Sequence, residues 1–255
     1  MVGTVIGAVR SALFVLFMAL TVVPWALAVV ICSAFLSGDK VYRMCVGWLD
    51  TAIWGAKVIC GVRARLHGFD HLPDEPVVLL PKHQSTWEAF AFPGLMPHPL
   101  AYVFKRELLN IPFFGWAMSR MDMIHIDRAK RSEAWKRIAE QGRGVMARGH
   151  WVIMFPEGTR IARGQKGKYQ SGGARLAVET QRAVLPVAVT SARCWPRKSF
   201  VLRPGVIDVS IGPLIQTIGR KPDEVTREVE AWIEAEMRRL DPEAYAGAPV
   251  AAQPA

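Results

Sequence analysis

Residues 77–95 read VVLLPKHQSTWEAFAFPGL. The stretch 77–81 is an unbroken apolar run of strand length, and after Lys82-His83 the pattern changes to one that fits a helix from about Thr86. A run that is apolar at successive positions suits a strand covered on both faces, the habit of parallel strands between helical layers. A strand passing directly into a helix is the repeating unit of α/β domains, and here the passage carries His83.

The same punctuation recurs on both sides of that stretch. Strands are expected at 62–66, 100–104, 123–126, 151–155, 184–189 and 206–211, and helices near 131–146, 173–181 and 222–239. A central sheet covered by helices follows. The final helix opens with Pro222-Asp223-Glu224 and closes with Arg238-Arg239, matching the helix dipole at both ends, so its expected role is structural. The tail, 243–255, is dominated by small residues and prolines and is expected to be disordered.

The N-terminus differs in kind. From Ser11 to Leu36 there is no charged residue, and that length exceeds the roughly 20 residues that cross a bilayer as a helix. It is long for a secretory leader, and Ser37-Gly38-Asp39-Lys40 is a poor cleavage site. Pro24 leaves two readings, one kinked spanning helix or two shorter helices dipping into one leaflet. In the next segment Arg43, Asp50 and Lys57 recur every seventh residue, which stacks them on one helical face. That pattern fits an interfacial helix or a core-facing amphipathic one; Trp48 and Trp54 suit a headgroup boundary. Positive charge is richer after the apolar run (Lys40, Arg43, Lys57, Arg63, Arg65) than before it (Arg10), which places the rest of the chain on the cytoplasmic side of an inner membrane. The expected division is 1–60 as anchor and interfacial helix, 61–242 as catalytic domain, and 243–255 as tail.

A formal net charge of +10 and a pI near 9.8 draw the protein to polyanions. The apolar N-terminus favours an anionic membrane over nucleic acid, for which no zinc-finger, RNA-binding or basic-heptad pattern exists. Cys32, Cys45, Cys60 and Cys194 form no CxxC pair and read as small apolar residues. His67 and His71 share a segment with Asp70 and Asp74 but lack further ligands at metal-site spacing, so no metal is expected.

Three constellations carry candidate chemistry. His83 and Glu88 lie together at the strand-to-helix turn, where an imidazole can take a proton at neutral pH and a carboxylate on its other nitrogen can hold the tautomer. The plainer reading makes Ser85-x-x-Glu88 a capping box. Phe155-Pro156-Glu157-Gly158-Thr159-Arg160 follows an apolar strand; Gly158 permits a tight turn, and Arg160 offers a planar fork for phosphate, with Arg163, Lys166 and Lys168 close behind. A basic solvated loop is the alternative. Phe104-Lys105-Arg106-Glu107-Leu108-Leu109 ends another strand, before the aromatic run around Pro112 and Gly115, so Lys105 and Arg106 can converge on the same anion. Neither Ser85 nor Ser171 sits in a Gly-x-Ser-x-Gly elbow, which disfavours a serine hydrolase.

Together, His83-x4-Glu88, Lys105-x-Glu107-Leu108 with Pro112 and Gly115, Phe155 to Arg160, and Val184-Leu185-Pro186-Val187 resemble the four ordered motifs of the glycerolipid acyltransferases, more narrowly the bacterial 1-acylglycerol-3-phosphate acyltransferases. The resemblance implies a mixed central sheet with a membrane-embedded N-terminal segment. It implies His83 as base, Lys105 and Arg160 on the acceptor phosphate, Glu157, Gly158 and Thr159 at the acceptor site, and Arg106 and Pro186 as further motif residues. It also implies a lysophospholipid acceptor and an acyl-CoA or acyl-carrier-protein donor, with no cofactor. The family's usual acid in the first motif is Asp; this chain has Glu88, one methylene longer. Rival expectations are the same mechanism on another lyso-lipid, or a non-catalytic basic protein that coats membranes.

Overall fold

The structure, a computed structural model, describes residues 2–36, 38–110, 119–126 and 131–246; of residues 2–3, 71, 105, 108, 126 and 131–134 it describes the backbone alone. Seven strands form one sheet: β1 (Val62–His67), β2 (Val78–Pro81), β3 (Leu100–Lys105), β4 (Ile124–Ile126), β5 (Trp151–Ile153), β6 (Val184–Val189) and β7 (Gly205–Ile211). The helices are α1 (Val2–Ser33), α2 (Asp39–Cys60), α3 (Trp87–Leu95), α4 (Arg131–Ala147), α5 (Gly172–Thr180), α6 (Pro222–Leu240) and α7 (Pro242–Tyr245). Each element expected from the sequence is present, with ends displaced by a residue or two, as helix and strand ends commonly are.

The strand order is β1-β7-β6-β2-β5-β3-β4. All pairs are parallel except β6 with β7, so the sheet is mixed. Alternation along β2 explains the layers. Leu79 joins a cluster with Trp87, Phe92, Ala56 and Phe14, while Val78 and Leu80 join another with Ile138, Leu176, Val229 and Ile233. Thus α1, α2 and α3 cover one face and α4, α5 and α6 the other. Pro186 lies inside β6, whose ladder with β7 runs only from Val187 to Val189 and gives way to an isolated Val184–Ile215 bridge. That break is the kind of position at which a strand tolerates a residue without an N–H.

Of the two readings left open at Pro24, the single helix is the one observed: α1 runs unbroken for 32 residues. One side of α2 faces the core, burying Val41, Tyr42, Ala52, Ala56 and Cys60, while Arg43, Asp50 and Lys57 stay exposed together with Trp54 and Val58. The half-buried Trp48 is tied inward, its indole N–H reaching Thr21 Oγ1 at 3.2 Å and its ring meeting Phe90 edge-on. The glycines of α2 allow the close approach: a Cβ on Gly55 would stand 2.4 Å from Phe17 Cε1.

Both ends of this helical pair rest on the sheet domain. Near the start of α1, Leu202 N donates to Ser11 Oγ at 2.9 Å and Phe14 meets Trp195 edge-on. At the other end Leu100 N donates to the Tyr42 hydroxyl at 2.9 Å, and His150 Nε2 lies 2.9 Å from Asp39. No packing boundary falls at residue 60, since Phe14, Ala56 and Cys60 share their cluster with Val62, Leu79 and Ile153. The opposite face of α1 carries Leu13, Leu16, Leu20, Val23, Leu27 and Ile31, all exposed. The expected tail starts later than 243, because α7 buries Tyr245; residues 247–255 lie outside the described residues.

Candidate active site

Because β2, β3, β5 and β6 run parallel, their carboxyl ends meet at one edge. That edge is where open α/β sheets place their sites. His83 leaves β2 there, Glu157 follows β5, and Ser191 follows β6. The His83 imidazole stacks on Phe155 with centroids 3.8 Å apart and planes 18° from parallel.

Glu88 is fully buried and its carboxylate is held from several sides. Oε1 accepts from Gln84 N at 2.9 Å, from Ser85 N at 3.1 Å and from the Ser191 hydroxyl; Oε2 accepts from Ser85 N at 2.9 Å. The same Oε2 faces His83 Nδ1 at 3.7 Å. The two readings of this motif therefore coexist: one carboxylate caps the first turn of α3 and also faces the imidazole. At 3.7 Å the second contact is an electrostatic one, and Nδ1 is buried with no hydrogen-bond partner among the described residues. The exposed part of the ring, 16% of the side chain, therefore belongs to its other atoms.

Glu157 turns inward. Its Oε2 accepts from the backbone N–H of His83 at 2.9 Å, and its Oε1 lies 2.7 Å from the ammonium of Lys82, whose exposure is zero. Burial pushes the Glu157 carboxyl above the usual carboxylate range, against the pull of Lys82 and of the His83 N–H. The rest of its motif faces solvent. Gly158 turns the chain with φ +65°, and Thr159 and Arg160 are exposed. The Arg160 guanidinium donates to Thr86 Oγ1 at 2.9 Å, while Ile161 N donates to the His83 carbonyl at 2.7 Å. The loop is thereby tied to the His83 turn, and Arg160 is brought over the start of α3. Arg197 donates from Nη1 to the carbonyl of Arg160.

Not all of the expected basic residues converge. Arg163 forms two 2.7 Å bonds to Asp241, and Lys166 pairs with Glu230, so both are engaged with the C-terminal helices. Lys105 ends β3, two strands away from β2; its side chain, like Pro112 and Gly115, lies outside the described residues. Arg106 is exposed at the start of a 3₁₀ turn. Pro186 lines the sheet beneath the edge, opposite Leu80. His67 is bound to Asp208 at 2.9 Å. Among the described residues Asp39, Asp122 and His150 draw together at the start of β5, away from this edge, with Asp39 paired to His150 and Asp122 to Arg148.

Sequence reasoning missed Lys82 and Ser191. Lys82 left a trace, a lone cation at the end of an apolar strand, which has to find a buried counter-charge. Ser191 left none, since its partner is 103 residues away in the chain.

An imidazole buried on one nitrogen against a carboxylate, with an exposed guanidinium tied to the same turn at a sheet edge, is an arrangement capable of base chemistry on an anionic substrate. Comparison with known proteins gives that class its family. Residues 63–190 match the family model described as Acyltransferase, and the chain belongs to that family. It is 39% identical over 241 residues to the 1-acyl-sn-glycerol-3-phosphate acyltransferase of Pseudomonas aeruginosa, covering 93% of each chain. It is 27% identical over 216 residues to the 1-acyl-sn-glycerol-3-phosphate acyltransferase alpha of Homo sapiens, covering 83% of this chain and 72% of the human one. The fold matches the crystal structure of the 1-acyl-sn-glycerophosphate (LPA) acyltransferase PlsC from Thermotoga maritima, with a TM-score of 0.74 at 20% identity, covering 96% of this chain and 97% of that one.

Proposed function

We propose that this acyltransferase moves a fatty acyl group from an acyl thioester to the free sn-2 hydroxyl of 1-acylglycerol 3-phosphate, making phosphatidic acid, with His83 as general base. The observation that carries the catalytic part is the His83 Nδ1 facing the buried Glu88 carboxylate. A carboxylate on that side favours the tautomer protonated at Nδ1 and leaves the Nε2 lone pair to the substrate.

In the reaction Nε2 takes the hydroxyl proton as the oxygen attacks the thioester carbonyl. The tetrahedral oxyanion collapses, the carbon–sulfur bond breaks, and the imidazolium returns its proton to the departing thiolate. Free thiols have pKa values near about 8.5, so the thiolate leaves readily and no acyl-enzyme is needed. General-base catalysis contributes about 10²–10⁴-fold, and positioning of the acceptor supplies a further part. Arg160 and Lys105 hold the acceptor phosphate, with Gly158 and Thr159 at the mouth and Arg106 beside them. Glu157 supports the acceptor site from beneath, through His83. No metal or prosthetic group takes part in this scheme; the donor is acyl-CoA or acyl-carrier protein.

The exposed apolar face of α1 fits burial in lipid. The start of α1 is bound to the catalytic domain through Ser11 and Phe14, and the domain sits on the cytoplasmic side of the inner membrane, as the excess of positive charge after the apolar run favours. The test is acyl transfer from labelled acyl-CoA to 1-acylglycerol 3-phosphate by detergent-purified protein, beside His83→Ala and a panel of other lyso-lipids. Transfer to 1-acylglycerol 3-phosphate by the wild type alone is expected. Near-normal transfer by His83→Ala would remove His83 from the mechanism, and preference for another lyso-lipid would replace the acceptor.

A further inference from the structure

Glu234 stands on α6, outside the matched stretch 63–190, yet it reaches the catalytic turn. Lys82 has no exposed surface, and its ammonium donates to Glu234 Oε1 at 2.7 Å while lying 2.7 Å from Glu157 Oε1. A third contact runs from Lys82 to the carbonyl of Gln165 at 3.3 Å. Glu234 is fixed in turn by the buried Tyr169, whose hydroxyl donates to Oε1 at 2.9 Å. Glu157 then uses its remaining oxygen to accept the backbone N–H of His83 at 2.9 Å. The connection is continuous: Tyr169 to Glu234, to Lys82, to Glu157, to the main chain of the histidine.

One cation here meets two buried carboxylates. A Lys82–Glu157 pair would be neutral by itself, so charge balance alone does not require Glu234. Its distances supply a different reason. A lysine ammonium has three donors on a flexible four-carbon stem, and a single carboxylate leaves its position poorly determined. Contacts from Glu157, Glu234 and Gln165 hold the ammonium at one point. With Lys82 fixed, Glu157 can present Oε2 to His83 N in one geometry. The histidine is thus held twice, at its ring by Glu88 from α3 and at its backbone by a chain of contacts that begins on α6.

We infer that Glu234 is a positioning residue for the acyl-transfer reaction, acting through Lys82 and Glu157 to set the main-chain position of His83. The inference rests on His83 being the base, and displacement of a base by about an ångström can cost on the order of 10²-fold in rate. The role predicts a loss in kcat with little change in either KM, because Glu234 is buried behind Lys82.

The experiment compares full-length wild type, Glu234→Ala, Glu234→Gln and Tyr169→Phe in detergent, with kcat expressed per folded enzyme from thermal melts taken at the same time. Glu234→Ala is expected to lose about 10- to 100-fold in kcat, with both KM values within about twofold. Glu234→Gln keeps an acceptor for both Lys82 and Tyr169 and is expected to recover most of that loss. Tyr169→Phe removes only the hydroxyl that steadies Glu234, and a fall of about threefold in kcat is expected; it carries the test where Glu234→Ala does not fold. A folded Glu234→Ala with kcat within twofold of wild type, or a Tyr169→Phe with unchanged kcat where the alanine variant does not fold, overturns the inference. His83→Ala, measured alongside, separates the two ideas: its retained activity would sink the assignment of the base whatever the Glu234 variants did.

Discussion

Two groups of buried carboxylates, on different parts of the molecule, meet their cations in opposite ways. At the catalytic edge Glu157 faces a lysine with no exposed surface, and burial raises the Glu157 carboxyl. Beside the C-terminal helices Asp241 takes two 2.7 Å bonds from Arg163 and one of 2.9 Å from Arg193, both about a third exposed. Burial pushes Asp241 up as well, yet these arginines pull harder and hold it below the usual range; Asp208, with Arg65 and His67, behaves likewise. A guanidinium fork can bond a buried carboxylate while its far side stays wet, so little desolvation opposes the pair. The lysine of the catalytic edge has surrendered all its water, and its worth there is geometric more than energetic. The first group is therefore read as serving position and the second as serving stability.

The sharpest challenge to that division is Glu88→Ala, which removes the carboxylate facing His83 and is expected to lower kcat by about 10²-fold or more, read by acyl transfer per folded protein. A loss confined to thermal stability would put Glu88 with the capping residues alone. Next in size, Asp241→Asn should leave kcat within about twofold yet destabilise the fold by about 2–3 kcal/mol in urea titration, below the ~3–5 kcal/mol of a fully buried pair because both arginines can return to water. Its pH dependence has a definite sign. Asp241 is depressed in the folded state, so its contribution is present above the unfolded value of about 3.9 and is lost as pH falls through the folded value. Wild-type and Asn melting temperatures should therefore converge as the pH falls from the unfolded value through the lower folded one, and a constant gap would show that charge is not the cause. The smallest effect belongs to Arg160→Ala, expected to raise the acceptor KM about tenfold while leaving the donor KM within about twofold, since one charged hydrogen bond contributes ~1.5–3 kcal/mol. An unchanged acceptor KM would return Arg160 to the solvated loop.

The elements were legible because their signals are local. Apolar runs at 77–81 and 184–189 and the amphipathic period of 222–239 depend on neighbours a few residues away, and the corresponding strands and helix appear within a residue or two. His83 and Glu88 were legible as a pair for the same reason, five positions apart across one turn. What failed depended on distant partners. Arg163 and Lys166 follow Arg160 closely in the chain, yet in the fold they pair with Asp241 and Glu230 from its far end. The inward partners of Trp48, Thr21 and Phe90, were likewise out of view. Pro24 left one helix or two open, and packing by a neighbour along the length of α1 accompanies the single one observed.

The sequence by itself therefore determined the alternation of strand and helix, the apolar N-terminal segment and the turn that carries His83. Covalent order and side-chain period are enough to specify these. Only the tertiary structure decided which cations pair with distant carboxylates, where Glu157 points, and that Glu234, on the C-terminal helix Pro222–Leu240, joins the contacts behind the His83 backbone. The reason is that a buried charge is satisfied by whatever the fold brings within about 3 Å, and sheet order, which chain order does not dictate, sets that neighbourhood.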